Sequence, residues 1–407
     1  MRTSLLFASL SFALGLFASA CGTTGTPTCS VATCAGCCST DGQCLDGTAN
    51  NACGTAGLNC DVCSGGQVCT EKRCVMPPPV EPPDAGQPII APVETWTWQD
   101  FPNSACGNGV PTGVAVNIST RTRDVFLYLQ GGGACWNGLT CGVIKSASNV
   151  DTGYTSASFA GDGTKNAPPF SRTNAANPLK DMSFVYVPYC TGDVHAGDAV
   201  QVYDVPNGPQ MTVHHKGGKN MDAFLVRLKD TFPDAQRIFL SGSSAGAYGA
   251  QLNYERVAKA WPNAEVHVLA DCGQMVTPNG TLLADWLAMW NFAIPSDCTD
   301  CTTDFTKYPA YLAQKYPTRR FGLLAYTQDQ VLRQFFGYDP ATFQQKTEAL
   351  LTGVYDGRAN AKYFLVASQE HVMLDNLLTL TGPGNVPLVT WTSQWLSGDA
   401  AWANVKP

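Results

Sequence analysis

Arg237-Ile-Phe-Leu-Ser-Gly-Ser-Ser-Ala-Gly246 is the stretch on which the reading of this chain turns. An apolar run, Ile238, Phe239 and Leu240, leads straight into Gly242-Ser243-Ser244-Ala245-Gly246. This is G-x-S-x-G between a predicted strand and a predicted helix, Ala245 to Trp261. A serine nucleophile must stand above a sheet on a tight turn, and its neighbours must be small because the turn leaves no room for side chains. The helix that follows offers unpaired N–H groups and a positive dipole end to an oxyanion. A surface turn rich in glycine and serine would match the same five letters. The strand before and the helix after favour Ser244 as a nucleophile.

Outward from this turn, residues 94–407 alternate between short apolar runs and helical patterns. The candidate strands are Val125–Gln130, Phe184–Tyr189, Arg237–Leu240, Glu265–Ala270, Phe321–Tyr326 and Tyr363–Ala367. Such runs suit strands buried on both faces of a parallel sheet. The candidate helices are Asn220–Phe232, Ala245–Trp261, Leu282–Phe292, Asp329–Phe336, Ala341–Leu351 and Val389–Leu396. The alternation predicts an α/β domain with a mostly parallel sheet flanked by helices.

Ahead of it the character changes. Arg2, the apolar Leu5 to Phe17 and the small residues Ala18-Ser19-Ala20 read as a signal peptide over residues 1–20. Cys21 follows at once, as in a bacterial lipobox, although Ala18 stands where leucine is usual. Lipidation there would anchor the chain to an outer membrane; plain cleavage after Ala20 is the alternative. Residues 21–76 are dense in cysteine and poor in Leu, Ile and Phe, so disulfides must do the work of a core. Ten cysteines lie from Cys29 to Cys74, an even count that suits five bridges of undetermined connectivity. Zinc held by Cys60-x2-Cys63 is the alternative, less expected behind a signal peptide. The spacing loosely resembles small cysteine-rich modules in front of secreted myxobacterial proteins. Residues 77–93, opening on the cluster Pro77, Pro78, Pro79, Pro82 and Pro83, read as a semi-rigid linker.

Composition narrows the function. A net charge of −7 argues against nucleic acid as a partner, because no basic excess is available to neutralise phosphate. Five histidines in 407 residues leave little for a histidine-rich metal site, and no metal or cofactor is expected.

A serine nucleophile needs a base, and the base an orienting acid. Asp329 follows the strand Phe321–Tyr326, and His371 follows the strand Tyr363–Ala367. The order Ser244, Asp329, His371 is the one found when such a triad is hung on the loops of a parallel sheet. His195, His214, His215 and His267 compete as bases, with His267 read as a core residue inside a strand. Asp271 and Asp375 compete as acids. A second glycine cluster, Gly131-Gly132-Gly133, follows the first strand and can turn backbone N–H groups toward a ligand. The oxyanion donors expected here are Gly132 or Gly133 and Ala245. No Lys-Ser/Thr follows the glycines, which argues against a phosphate loop.

Five blocks in order carry a family resemblance. They are Cys106-Gly-Asn-Gly-Val-Pro-Thr-Gly113, Leu129-Gln-Gly-Gly-Gly-Ala-Cys135-Trp136-Asn137 with Cys141, Tyr189-Cys190-Thr-Gly192-Asp193 to Asp198, the Ser244 turn, and Asp329-Gln330 with His371. Together they resemble the pectin acetylesterase family, which includes the animal carboxylesterase Notum. The resemblance implies an α/β-hydrolase fold and a metal-independent serine esterase. Ser244, Asp329 and His371 would be its triad, Gly132 and Ala245 its oxyanion donors, and Trp136 a pocket residue. It also implies disulfides Cys135–Cys141 and Cys106–Cys190. With Cys298–Cys301 as a tight loop, Cys272 is then the free thiol. Gln130 stands where an acid is more usual and Ala134 where an aromatic is common, which leaves the acyl pocket open. The expected substrate is an acylated polysaccharide losing acetyl or another short acyl group. A non-catalytic surface adhesin on the same scaffold is the rival reading.

Overall fold

A computed structural model describes residues 29–64, 67–75 and 86–407. The expected signal peptide, Cys21 and most of the proline-rich stretch lie outside the described residues. The chain divides into two compact units, Met1–Glu81 and Pro82–Pro407.

In the first unit the ten described cysteines all pair: Cys29–Cys38, Cys34–Cys44, Cys37–Cys60, Cys53–Cys69 and Cys63–Cys74. Both cysteines of the Cys60-x2-Cys63 pair are therefore committed to bridges. Strand pairs two or three residues long join the cystines, among them Cys37–Cys38 against Cys44–Leu45. Cys34, Cys37, Cys38 and Cys53 are its buried apolar residues, so the bridges take the place of a core.

The second unit begins with the antiparallel pair β1 (Thr97–Phe101) and β2 (Thr112–Asn117). Strands β3 (Asp124–Leu129) and β4 (Ser183–Val187) follow, then a hairpin of β5 (Ala199–Tyr203) and β6 (Met211–His215). The remaining strands are β7 (Arg237–Ser243), β8 (Glu265–Asp271), β9 (Phe321–Tyr326) and β10 (Ala361–Val366). Eight of these form one sheet in the order β10-β9-β8-β7-β3-β4-β2-β1. Neighbours from β10 to β4 are parallel; β2 runs antiparallel to β4 and to β1. Every residue of β3, β4 and β9 is buried, as the unbroken apolar runs require.

The helices are α1 (Ser156–Gly161), α2 (Gly217–Thr231), α3 (Ala245–Leu252), α4 (Tyr254–Ala260), α5 (Leu282–Trp290), α6 (Lys307–Lys315), α7 (Gln330–Phe336), α8 (Pro340–Leu350) and α9 (Leu388–Ser397). The single helix expected from Ala245 to Trp261 is two. It breaks at Asn253, whose Nδ2 donates to the carbonyls of Gly249 and His195, both at 2.9 Å. Side chains of this kind compete with the helical ladder for backbone acceptors. The expected linker stretch also ends earlier. Ile89 is 2% exposed, its N–H donates to Thr231 Oγ1 at 2.8 Å, and the N–H of Gly86 donates to Asp230 at 2.7 Å. Residues 86–93 thus belong with the second unit. No helix among the described residues is long and apolar enough to cross a membrane.

The chain passes from β3 to β4 on one side, and later sets β7 against the other side of β3. Sheets of this kind open a crevice beyond the carboxyl ends of the strands, where the winding reverses. The loops after β3, β7, β8, β9 and β10 all leave from that edge, and they carry the residues considered next.

Candidate active site

Ser244 lies between the last residue of β7 and the first of α3, with φ 55° and ψ −124°. Such a conformation is costly for a residue with a Cβ and persists only where its surroundings impose it. Those surroundings are explicit. The N–H of Ser244 donates to the carbonyl of Asp271 at 2.8 Å, and α3 starts at Ala245. A Cβ on Gly246 would come 2.0 Å from the carbonyl oxygen of Leu129, so only glycine lets the turn sit against β3. Ser244 is 7% exposed, a buried hydroxyl at the floor of two cavities.

The glycine loop after β3 comes up against this turn. A Cβ on Gly131 would meet the Ser243 carbonyl at 2.5 Å and the Ser244 Cβ at 3.1 Å. Farther along, the Gly132 carbonyl accepts from Ser148 N–H at 2.8 Å, and Ala134 N–H donates to Ser146 at 3.2 Å. Among the described residues, neither Gly132 nor Gly133 has its N–H committed to a protein acceptor. Disulfide Cys135–Cys141 closes the next loop, and Cys106–Cys190 ties the segment after β1 to the end of the β4 region. Cys298 and Cys301 are paired, and Cys272 is free and buried.

Asp329 caps α7. Its Oδ1 accepts the N–H groups of Val331 and Leu332 at 3.0 and 2.9 Å, and it is fully buried. Its Oδ2 lies 2.7 Å from Nδ1 of His371, whose side chain is 16% exposed. With Nδ1–H donating to the carboxylate, Nε2 is left as the imidazole's acceptor. His371 and Ser244 line the same cleft.

The other histidines are engaged elsewhere. His267 is buried in β8, where Nδ1 accepts the Arg320 N–H at 3.0 Å; burial lowers its pKa to about 3. The ring of His215 lies between the Thr191 carbonyl at 2.8 Å and the Tyr203 hydroxyl at 2.9 Å. His214 stands on β6, half-buried. His195, its pKa lowered by burial to about 4, donates from Nε2 to the carbonyl of Gln130 at 2.8 Å. It thereby pins the residue just before the glycine loop, a role its sequence position did not signal.

At position 130, where the resemblance implied an acid, the glutamine uses both ends of its amide. Its Oε1 accepts the Tyr189 N–H at 3.0 Å while Nε2 donates to Asp162 at 2.9 Å. A carboxylate at position 130 would face that of Asp162, which also accepts from the hydroxyls of Tyr154 and Tyr186.

The competing acids do not reach the imidazole by any hydrogen bond. Asp271 bonds Ser243 Oγ at 2.7 Å and two backbone N–H groups beyond His371. Asp375 is exposed on the cleft wall.

Two cavities of different character, the second the more polar, meet at Ser244 and Gly133. One is an apolar slot whose walls include Ala134, Tyr248, Trp286, Trp290, Phe335 and Phe336. The other is a polar cleft bounded by Tyr128, Gln130, Thr164, His371 and Asp375. Trp136 does not line the slot; it packs behind Trp286 and Phe335, with ring centroids 5.7 and 6.5 Å away. Its indole therefore supports the wall from outside. Such a junction can hold an ester with its apolar half in one cavity, its polar half in the other, and its carbonyl over the serine.

Comparison with known proteins points the same way. Residues 99–289 match the family described as Pectinacetylesterase, a span that includes the glycine loop and Ser244 and ends before Asp329. The palmitoleoyl-protein carboxylesterase NOTUM of Mus musculus is 29% identical over 188 residues, 41% of this chain and 33% of its own. That of Homo sapiens is 26% identical over 252 residues, 53% of this chain and 46% of its own. The palmitoleoyl-protein carboxylesterase notum2 of Xenopus laevis is 25% identical over 202 residues, 48% of this chain and 37% of its own. The matches thus span a third to a half of these relatives' length.

Proposed function

We propose, for a chain that belongs to the pectin acetylesterase and Notum carboxylesterase family, that the Ser244 junction hydrolyses a carboxylic ester. The observation that carries this reading is the strained serine at the meeting point of an apolar and a polar cavity, beside a histidine bonded to a buried carboxylate.

In this mechanism Nε2 of His371 takes the proton from Ser244 Oγ as the oxygen attacks the ester carbonyl. Asp329 holds the ring in the required tautomer and stabilises the imidazolium that forms. The N–H groups of Ala245 and of Gly132 or Gly133 bind the oxyanion. The alcohol takes the proton from His371 and leaves through the polar cleft. Water, deprotonated by His371, then cleaves the acyl-enzyme, and Ser244 is restored.

The polar cleft suits a hydroxyl-rich leaving group, which supports an acylated polysaccharide as substrate and acetyl as the acyl group. A second reading follows from the slot. Seven of its lining residues are Trp, Phe or Tyr and none is charged, an environment matched to an acyl chain longer than acetyl. Eight disulfides among the described residues support an oxidising, extracytoplasmic location. Anchoring through Cys21 is part of the same proposal.

Aryl esters of increasing acyl length, assayed with wild type and Ser244→Ala, test the reading. A fluorophosphonate probe should label wild type and spare Ser244→Ala. A folded wild-type chain that neither labels nor hydrolyses any ester would return the adhesin reading.

A further inference from the structure

Asp271 is a buried carboxylate with no part in the mechanism above. It ends β8, directly opposite Ser243 in the parallel register with β7, and is 0% exposed. A charge-bearing group so deep in a domain needs partners, because burial disfavours its ionised form. Its partners are unusual in their distribution. Oδ2 accepts from Ser243 Oγ at 2.7 Å and from Leu374 N–H at 3.0 Å, and Oδ1 accepts from Met373 N–H at 2.8 Å. Ser243 Oγ accepts in turn from the Tyr128 hydroxyl at 3.0 Å. All three groups that reach the carboxylate are donors, the pattern that an anion satisfies and a protonated acid does not. Burial pushes its pKa up, while the bonds from Met373, Ser243 and Leu374 pull it down.

The geometry gives these bonds a direction. Ser243 is the residue before the nucleophile, and Met373 and Leu374 are the second and third residues after His371. Just before them Val372 N–H reaches Cys272 Sγ at 3.2 Å, and the backbone carbonyl of Asp271 holds the N–H of Ser244. The end of β8 therefore grips both segments whose separation sets the nucleophile–base distance. Val372 has φ 70° and Cys272 φ 54°, so the grip holds two residues in a region that side chains disfavour.

We propose that Asp271 is a positioning residue of the hydrolytic site, clamping the loop that carries His371 to the turn that carries Ser244. The proposal rests on the esterase reading for its kinetic consequence, but the clamp itself is physical and is measured without any substrate. The clamp explains why a carboxylate and not an amide stands here. An asparagine offers one acceptor oxygen, and its NH2 group would face one of the three donors.

The test uses the full chain with Asp271→Asn and, as a milder variant, Ser243→Ala, which keeps both bonds to the His371 loop and removes the carboxylate's own bond to the nucleophile turn. Amide hydrogen exchange over residues 371–376 reads the clamp directly. We expect exchange there to quicken at least tenfold in Asp271→Asn, with the β3 and β4 amides unchanged. On an aryl ester, kcat should fall on the order of 10²-fold in Asp271→Asn, because small misplacements of reacting groups cost about that much. KM should stay within about threefold, as for an interaction realised in the transition state, with the folded fraction measured by circular dichroism so that kcat is expressed per folded enzyme. Ser243→Ala should lose about tenfold in kcat. Unchanged exchange at 371–376 in folded Asp271→Asn overturns the proposal whatever the activity. If that variant does not fold, wild-type kcat in Ser243→Ala overturns it. A wild type without esterase activity but with the expected change in exchange would sink the functional reading and leave the clamp standing.

Discussion

Oδ2 of Asp329 lies 2.7 Å from Nδ1 of His371, while Oδ1 of the same carboxylate is occupied by the N–H groups of Val331 and Leu332. The acid is fixed from one side by a helix start and presents its free oxygen to the imidazole. This geometry makes a sharp prediction about tautomers. Asp329→Asn keeps the shape, but its amide can offer N–H toward Nδ1 and so favour the wrong ring tautomer. We expect kcat to drop about 10³-fold or more with folding intact, as with Ser244→Ala and His371→Ala. Near wild-type kcat in Asp329→Asn would show that the acid is another residue.

Much of this site could be read from the sequence because its parts are local. A G-x-S-x-G between an apolar run and a helix, and an acid and a histidine each just after a later run, need only strand ends to be brought together. The parallel strands were legible for the same reason: full burial leaves uninterrupted apolar letters. The edge pair β1 and β2 was not, since Thr97-Trp-Gln-Asp-Phe101 mixes polar and apolar residues as an edge strand does. Helix α6 was hidden by Pro309 in its first turn, a position where proline is tolerated. Asp271 could not be assigned because its partners Met373 and Leu374 are 102 and 103 residues away. The same holds for His195, whose bond to Gln130 spans 65 residues.

The buried histidines predict acid sensitivity. Burial lowers the pKa of His195 from 6.5 to about 4 and that of His267 to about 3. Between those values and 6.5 the unfolded chain binds more protons than the folded one, so stability rises with pH. Their contribution is complete above pH 6.5 and is lost as pH falls toward 4 and then 3. Each histidine accounts for at most about 1.4 kcal/mol per pH unit in its window. Asp271, raised by burial, acts with the opposite sign. Urea unfolding midpoints at pH 7.5, 5.5 and 4.5 should therefore decline in that order; a flat series would refute the assignment.

The slot predicts acyl selectivity. Phe335 is half-buried on its wall. Phe335→Ala should lower kcat/KM for butanoyl and hexanoyl aryl esters about tenfold, within the range of 1–3 kcal/mol that a hydrophobic pocket contributes to discrimination. The acetyl ester should change less than threefold. Equal losses on all esters would mean that the acyl group lies elsewhere.

The chain from Pro82 onward contains seven cysteines, six of them bridged, and Cys272 is buried against the Asp329–His371 pair. Burial raises its pKa well above the ordinary thiol range, which disfavours the reactive thiolate. A chain beginning at Pro82 should show no thiol to a disulfide reagent when native and one when unfolded without reductant. Reaction in the native state would contradict the burial described.

Where the chain is cut should matter more for stability than for chemistry. Every candidate site residue lies in the unit Pro82–Pro407, so a chain beginning at Pro82 should hydrolyse small aryl esters with kcat/KM close to that of the full chain. A cut at Pro92 is different, because it removes Ile89 from the core and takes with it the bonds of Gly86 to Asp230, Gln87 to Arg227 and Ile89 to Thr231. Losing one buried isoleucine alone costs about 1.5–3 kcal/mol. The Pro92 chain should thus unfold at markedly lower urea concentration while its kcat on a small ester, measured well below that midpoint, stays within about twofold of the longer chain. On polymeric or cell-bound substrate the full chain should outperform both if its first unit raises the local concentration of enzyme at a surface. If the Pro82 chain folds yet loses activity on the small ester, the cysteine-rich unit contributes to the active site and the division of labour proposed for the two units is wrong.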